Sequence, residues 1–204
     1  MMDAVNVKVF VRDERKCPFC PDALSLVNLD TKNLSNELKI NLEVIDLDQN
    51  PELAEKYNIS GVPTILIGDN IKYVGLPVGL ERRVFTNTLK LVAGGGKGTR
   101  VTQEQKTKLT GIKDPATVKV ITTSSCPYCP KVVFMSNQLA VASEGKVTSE
   151  IINSTELPEL AVKYRVSAVP TTIINEKVRF QGIPELDAFV EEIARKPPVL
   201  SYYI

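Results

Sequence analysis

Short apolar runs, broken by polar and turn-forming residues, give this chain its rhythm. VNVKVFV (Val5 to Val11) and TVKVITT (Thr117 to Thr123) are rich in β-branched residues and predict strands. A helical stretch follows each, DALSLVNL in the first half and KVVFMSNQLA in the second. INLEVIDL (Ile40 to Leu47) and KVTSEII (Lys146 to Ile152) predict second strands. The two PELA segments predict short helices, and Pro51, after Asn50, suits a first helical turn. TILI and TTII begin third strands, which turn at Gly68-Asp69-Asn70 and at Asn175-Glu176 into IKYVG and VRFQG as hairpins. Final helices are predicted from Leu80 to Leu91 and from Glu185 to Arg195. The order β-α-β-α-β-β-α thus occurs twice, which is an α/β architecture.

The residues repeat as well as the pattern. PELAEKYNISGVPTILI from Pro51 and PELAVKYRVSAVPTTII from Pro158 agree at 11 of 17 positions, an internal duplication too long in period for a solenoid. AGGGKG, Ala93 to Gly98, is the break between copies, predicting domains at 1–96 and 97–204. Thr102 predicts the N-cap of a polar helix ending near Gly111 that has no counterpart before the first copy.

Charge and composition remove several functions. Twenty-five basic and 24 acidic residues leave a net charge of +1, so there is no electrostatic case for a nucleic-acid or membrane partner. Histidine is absent, which excludes Cys/His zinc patterns and His-based catalysis. The first ten residues do not read as a signal peptide, and no run of about 18 apolar residues exists. A cytoplasmic protein is expected, in which paired cysteines are catalytic or metal-binding more often than structural.

All four cysteines lie in two pentapeptides, CPFCP at Cys17 and CPYCP at Cys126. A strand that delivers C-x-x-C to a helix start places the first thiol where unpaired N–H groups and the helix dipole favour its thiolate. Cys17 and Cys126 are therefore the expected attacking thiolates, with Cys20 and Cys129 one turn on as resolving thiols. Pro18 and Pro127 restrict the ring and suit the first turn. Val62-Pro63 and Val169-Pro170 follow their cysteines by 46 and 44 residues. A cis bond at each would bring an unpaired edge beside the cysteines, open to an extended substrate. The rival is a metal or iron–sulfur site made of both pairs. Against it, 105 residues separate Cys20 from Cys126, where zinc ribbons leave about 15–20.

On these motifs each copy resembles a thioredoxin-fold domain, and the tandem with two C-P-aromatic-C sites resembles the protein disulfide oxidoreductases of archaea and thermophilic bacteria. The resemblance implies a tandem thioredoxin fold and dithiol–disulfide exchange on disulfide-containing proteins without a bound cofactor. It also implies a flavin-dependent thioredoxin reductase as electron donor, and cis-prolines at Pro63 and Pro170. Thioredoxin's buried Asp, six residues before the first cysteine, is replaced by Val11 and Val120, so any proton-accepting carboxylate must come from elsewhere. The glycine-pair signature of a glutathione site is missing from GLPVGLE and GIPELDA. Glu43 and Glu150 share a repeat position and are expected to face solvent from strand edges, while Tyr57 and Tyr164 are expected as core anchors. The apolar tail KPPVLSYYI is a candidate to dock on a neighbouring surface. Arg15 and Lys16 precede Cys17 where Ser124 and Ser125 precede Cys126, which predicts Cys17/Cys20 as the more oxidising pair.

Overall fold

The structure, a computed structural model, describes residues 4–195; the KPPVLSYYI tail lies outside them. The first repeat runs β1 (Val5–Val11), α1 (Cys20–Leu34), β2 (Ile40–Asp46), α2 (Glu52–Lys56), β3 (Thr64–Ile67), β4 (Ile71–Val74) and α3 (Glu81–Ala93). After it, α4 (Gln103–Thr110) opens the second repeat. There follow β5 (Ala116–Thr122), α5 (Cys129–Ala142), β6 (Val147–Asn153), α6 (Pro158–Lys163), β7 (Thr171–Ile174), β8 (Lys177–Gln181) and α7 (Leu186–Ala194). Thr102 caps α4 as its sequence predicts. Its hydroxyl accepts from Gln105 N–H, while the Gln105 side chain accepts from Thr102 N–H, satisfying two end donors reciprocally.

The repeats share one eight-stranded sheet, ordered β2-β1-β3-β4-β6-β5-β7-β8. Its join is the parallel pairing of β4 with β6, from Ile71 opposite Ser149 to Val74 opposite Ile152. Each repeat would otherwise end on an exposed strand, and unpaired strand edges are a liability. Joining one repeat's last strand to the other's β6 removes two edges and leaves β2 and β8 at the rims.

One face of the sheet carries a core that ignores the repeat boundary. Val84, Phe85 and Leu89 of α3 pack in the same cluster as Val132, Val133 and Leu139 of α5 and Phe189 of α7. The other face has two smaller clusters. Phe10, Ile45 and Leu66 lie under α2, and Val74, Ile121, Ile152 and Ile173 lie under α6. Tyr57 packs on Phe10, ring centroids 5.2 Å apart, and Tyr164 joins the α6 cluster, so both serve the core.

Polar groups also cross the boundary. Asn137 of α5, fully buried, donates from Nδ2 to Tyr73 Oη and Thr88 Oγ1, each at 2.9 Å, and its Oδ1 accepts from Ser149 Oγ at 2.8 Å. Glu150 departs from its expected solvent position. It is 2% exposed, and its carboxylate accepts from Ser60 Oγ of the first repeat. Glu43, at the same repeat position, stays exposed beside Lys8. The difference is positional: β2 is a rim strand, whereas β6 is covered by β4.

Candidate active sites

Each strand-to-helix junction holds its two cysteines together. Cys17 and Cys20 form one disulfide, with α-carbons 5.4 Å apart, and Cys126 and Cys129 form the other at 5.5 Å. All four are buried. The helices begin at Cys20 and Cys129, so the first-turn prolines are Pro21 and Pro130 rather than Pro18 and Pro127. The first cysteine of each pair thus lies ahead of the helix, facing its N-terminal end, where free N–H groups favour negative charge. Phe19 and Tyr128, between the cysteines, are exposed apolar surface.

Val62-Pro63 and Val169-Pro170 are both cis. Thr64 pairs with Phe10 and Thr171 with Ile121, so each proline stands beside the end of the strand that leads to the cysteines.

The surroundings of the two pairs differ. At the first, Arg15 Nε donates to Asp13 at 2.9 Å, while Lys16 and Arg12 both reach Asp48, at 2.9 and 2.8 Å. Lys16 in the first place holds the Asp48 carboxyl down at about 2. The cations preceding Cys17 are thus already partnered. The Cys20 N–H points to the Cys17 carbonyl at 3.1 Å. At the second pair the equivalent N–H, from Cys129, goes to Cys126 Sγ at 3.1 Å.

Two carboxylates near the second pair, one buried and one half-buried, escape sequence reading. Glu81 is 3% exposed, and Glu156 accepts from Leu76 N–H at 2.8 Å and Asn153 Nδ2 at 2.9 Å. Neither repeats: the stretch holding Glu81, GLPVGLE, corresponds to GIPELDA, so duplication gave no signal. Among the described residues no group of three or more His, Cys, Asp or Glu could hold a metal ion, and the metal reading finds no ligand set. No described helix is long and apolar enough to cross a membrane.

The thioredoxin-domain family model matches residues 5–82 and 116–194. Relatives include a thioredoxin of Methanocaldococcus jannaschii, 35% identical over 79 residues that make up 39% of this chain and 93% of that protein. A probable thioredoxin of Methanothermobacter thermautotrophicus is 36% identical over 36% of this chain and 81% of its own. Among solved structures, a protein disulfide oxidoreductase from Aeropyrum pernix superposes with a TM-score of 0.83 at 26% identity, covering 95% of this chain and 86% of that one. An N-terminal domain of alkylhydroperoxide reductase AhpF from Enterococcus faecalis shares the fold, with a TM-score of 0.79 at 21% identity over 93% and 90% of the two chains.

Proposed function

The chain belongs to the thioredoxin domain family and is a thioredoxin-like protein disulfide oxidoreductase, in which, we propose, each C-P-x-C pair is a complete redox centre. The observation that carries the reading is that each pair closes on itself at a helix start, once per repeat. In the reductive direction the Cys17 or Cys126 thiolate attacks a substrate disulfide, forming a mixed disulfide and releasing one substrate thiolate. Cys20 or Cys129 then loses its proton and attacks the first cysteine's sulfur. The second substrate thiolate leaves, and the enzyme disulfide holds the two electrons' worth of oxidation.

Val62-Pro63 and Val169-Pro170 are the proposed docking edges. An extended substrate would hydrogen-bond there as an added strand, with the exposed Phe19 or Tyr128 against its side chains. The two domains are assigned to 1–96 and 97–204. A flavin-dependent thioredoxin reductase is proposed to re-reduce them, in the cytoplasm.

The test is insulin reduction with dithiothreitol as electron source. Cys17→Ser with Cys126→Ser should abolish it, because each pair loses the thiol ahead of the helix that attacks substrate and can no longer close an enzyme disulfide. Turnover persisting in that double variant would place the chemistry elsewhere.

A further inference from the structure

Cys129 and Glu81 come from different repeats, yet each begins one of two neighbouring helices. Helices α3 and α5 touch at Thr88 and Asn137, 2.9 Å apart, and again past the end of α3. There a β-carbon on Gly96 would lie 3.1 Å from Val141 Cγ1, near the end of α5. The two contacts follow in the same order along both helices, so the helices run parallel. Glu81 precedes Thr88 by seven residues and Cys129 precedes Asn137 by eight. At about 1.5 Å per residue the two helix starts are level, with axes about 8–10 Å apart.

Strand β5 supplies the third side. Thr122, its last residue, lies beside the Glu81 carboxyl and four residues before Cys126. The loop ahead of Glu81 is docked on the same approach. A β-carbon on Gly79 would stand 2.8 Å from the Ser124 carbonyl, and Asn153 Nδ2 bridges the Leu76 carbonyl and Ser124 Oγ. Within this enclosure Glu81 Oε1 is buried and has no hydrogen-bond partner among the described residues. A buried, unpaired carboxylate oxygen is costly and calls for a role.

We propose that Glu81, supplied by the first repeat, is the proton-transfer group of the Cys126/Cys129 centre, taking the place that Val120 leaves empty. The inference rests on reading Cys129 as the resolving thiol. With substrate joined to Cys126, the Cys129 thiol gives its proton to Glu81 carboxylate as its sulfur attacks Cys126 Sγ. The S–S bond to substrate breaks, the electron pair leaves on the substrate sulfur, and Glu81 then returns the proton to that thiolate or to water. Burial pushes Glu81 up to about 7, with Glu156 adding to the rise and Thr122 opposing it. A group there both accepts and returns protons near neutrality. The charges around it are few. Arg82 of α3 is turned away to Asp30 of α1 at 2.8 Å, and Glu156, itself facing Asp22 of α1, approaches from the β6 side.

Among the described residues no hydrogen bond joins Glu81 to the first centre, and Arg82 beside it meets α1 at Asp30, ten residues beyond Cys20. Single-centre proteins separate the cases. Cys17→Ser/Cys20→Ser leaves only the second centre, and Cys126→Ser/Cys129→Ser only the first. Insulin reduction would be followed from about pH 5.5 to about pH 9 in each. The second-centre protein should show an inflection near 7, and Glu81→Gln should remove it and slow turnover roughly 10- to 100-fold. Glu81→Asp should restore part of the rate. In the first-centre protein Glu81→Gln should leave turnover unchanged, which also reports that the variant folds. An active second centre whose profile ignores Glu81→Gln overturns the inference alone, as does equal slowing of both centres. An inactive second-centre parent overturns the redox reading beneath it.

Discussion

The backbone N–H of Cys129 donates to Cys126 Sγ at 3.1 Å, whereas the matching N–H of Cys20 is given to the Cys17 carbonyl. A donor on sulfur stabilises the thiolate, hence the reduced pair, and raises its reduction potential. Arg15 and Lys16 were the sequence grounds for the opposite order, but Asp13 and Asp48 hold them. One hydrogen bond contributes about 0.5–1.5 kcal/mol, so Cys126/Cys129 should be the more oxidising pair by roughly 10–30 mV. Single-centre variants equilibrated in glutathione buffers, alkylated and weighed would measure it. Asp48→Asn should narrow the gap by freeing Lys16 and Arg12 to act on Cys17. A higher potential at Cys17/Cys20 in the parent protein would contradict this assignment.

Stability should fall as pH rises through neutrality. Glu81 lies above its ordinary 4.5, at about 7, because burial disfavours its charge. The folded state therefore holds this proton more tightly than the unfolded one. The stability that this gives is complete below about pH 4.5 and is lost as pH climbs through about 7. The shift sets an upper limit of about 3 kcal/mol. Glu81→Gln should flatten that part of the curve, read from denaturant midpoints between about pH 5 and about pH 8.

Asn137→Ala should weaken the whole chain rather than one half. It leaves Tyr73 Oη, Thr88 Oγ1 and Ser149 Oγ without their shared partner in a dry interior. The expected cost is about 2–4 kcal/mol. Because those partners belong to both repeats, thermal unfolding should stay a single transition at a lower midpoint. Two separated transitions would show that the continuous core does not couple the repeats.

Gly79→Ala should impair the second centre from within the first repeat. Gly79 has φ +60, and a β-carbon there would sit 2.8 Å from the Ser124 carbonyl, which is backbone and cannot swing aside. The left-handed φ alone costs about 1 kcal/mol for a non-glycine residue. Insulin reduction by the second-centre protein should drop, with the first-centre protein little changed.

Much of the fold was legible because its signals are local. β-Branched runs, the Thr102 cap and the turn residues each mark an element within a few positions, and the duplication stated every element twice. The cysteine pairs were legible for the same reason, since two thiols three residues apart at a helix start need no distant help to meet. Tyr57 and Tyr164 also landed as expected, because their short helices carry them onto the core wherever the repeat sits.

What local pattern left open is where the repeats differ. Glu43 and Glu150 occupy one repeat position in similar strands, yet one is exposed beside Lys8 and the other is buried against Ser60. Likewise nothing local in GLPVGLE marks Glu81 as buried; it loses its water beside Thr122 of the second repeat, where α3 packs along α5. Both outcomes follow from β4 pairing with β6, which joins Lys72 to Glu150, far apart in sequence, in one register. Such a pairing is chosen by burying two strand edges and two apolar helix faces at once. The sequence by itself determined two thioredoxin-like units and their cysteines; the packing of one unit on the other decided which of the matched polar residues lost their water.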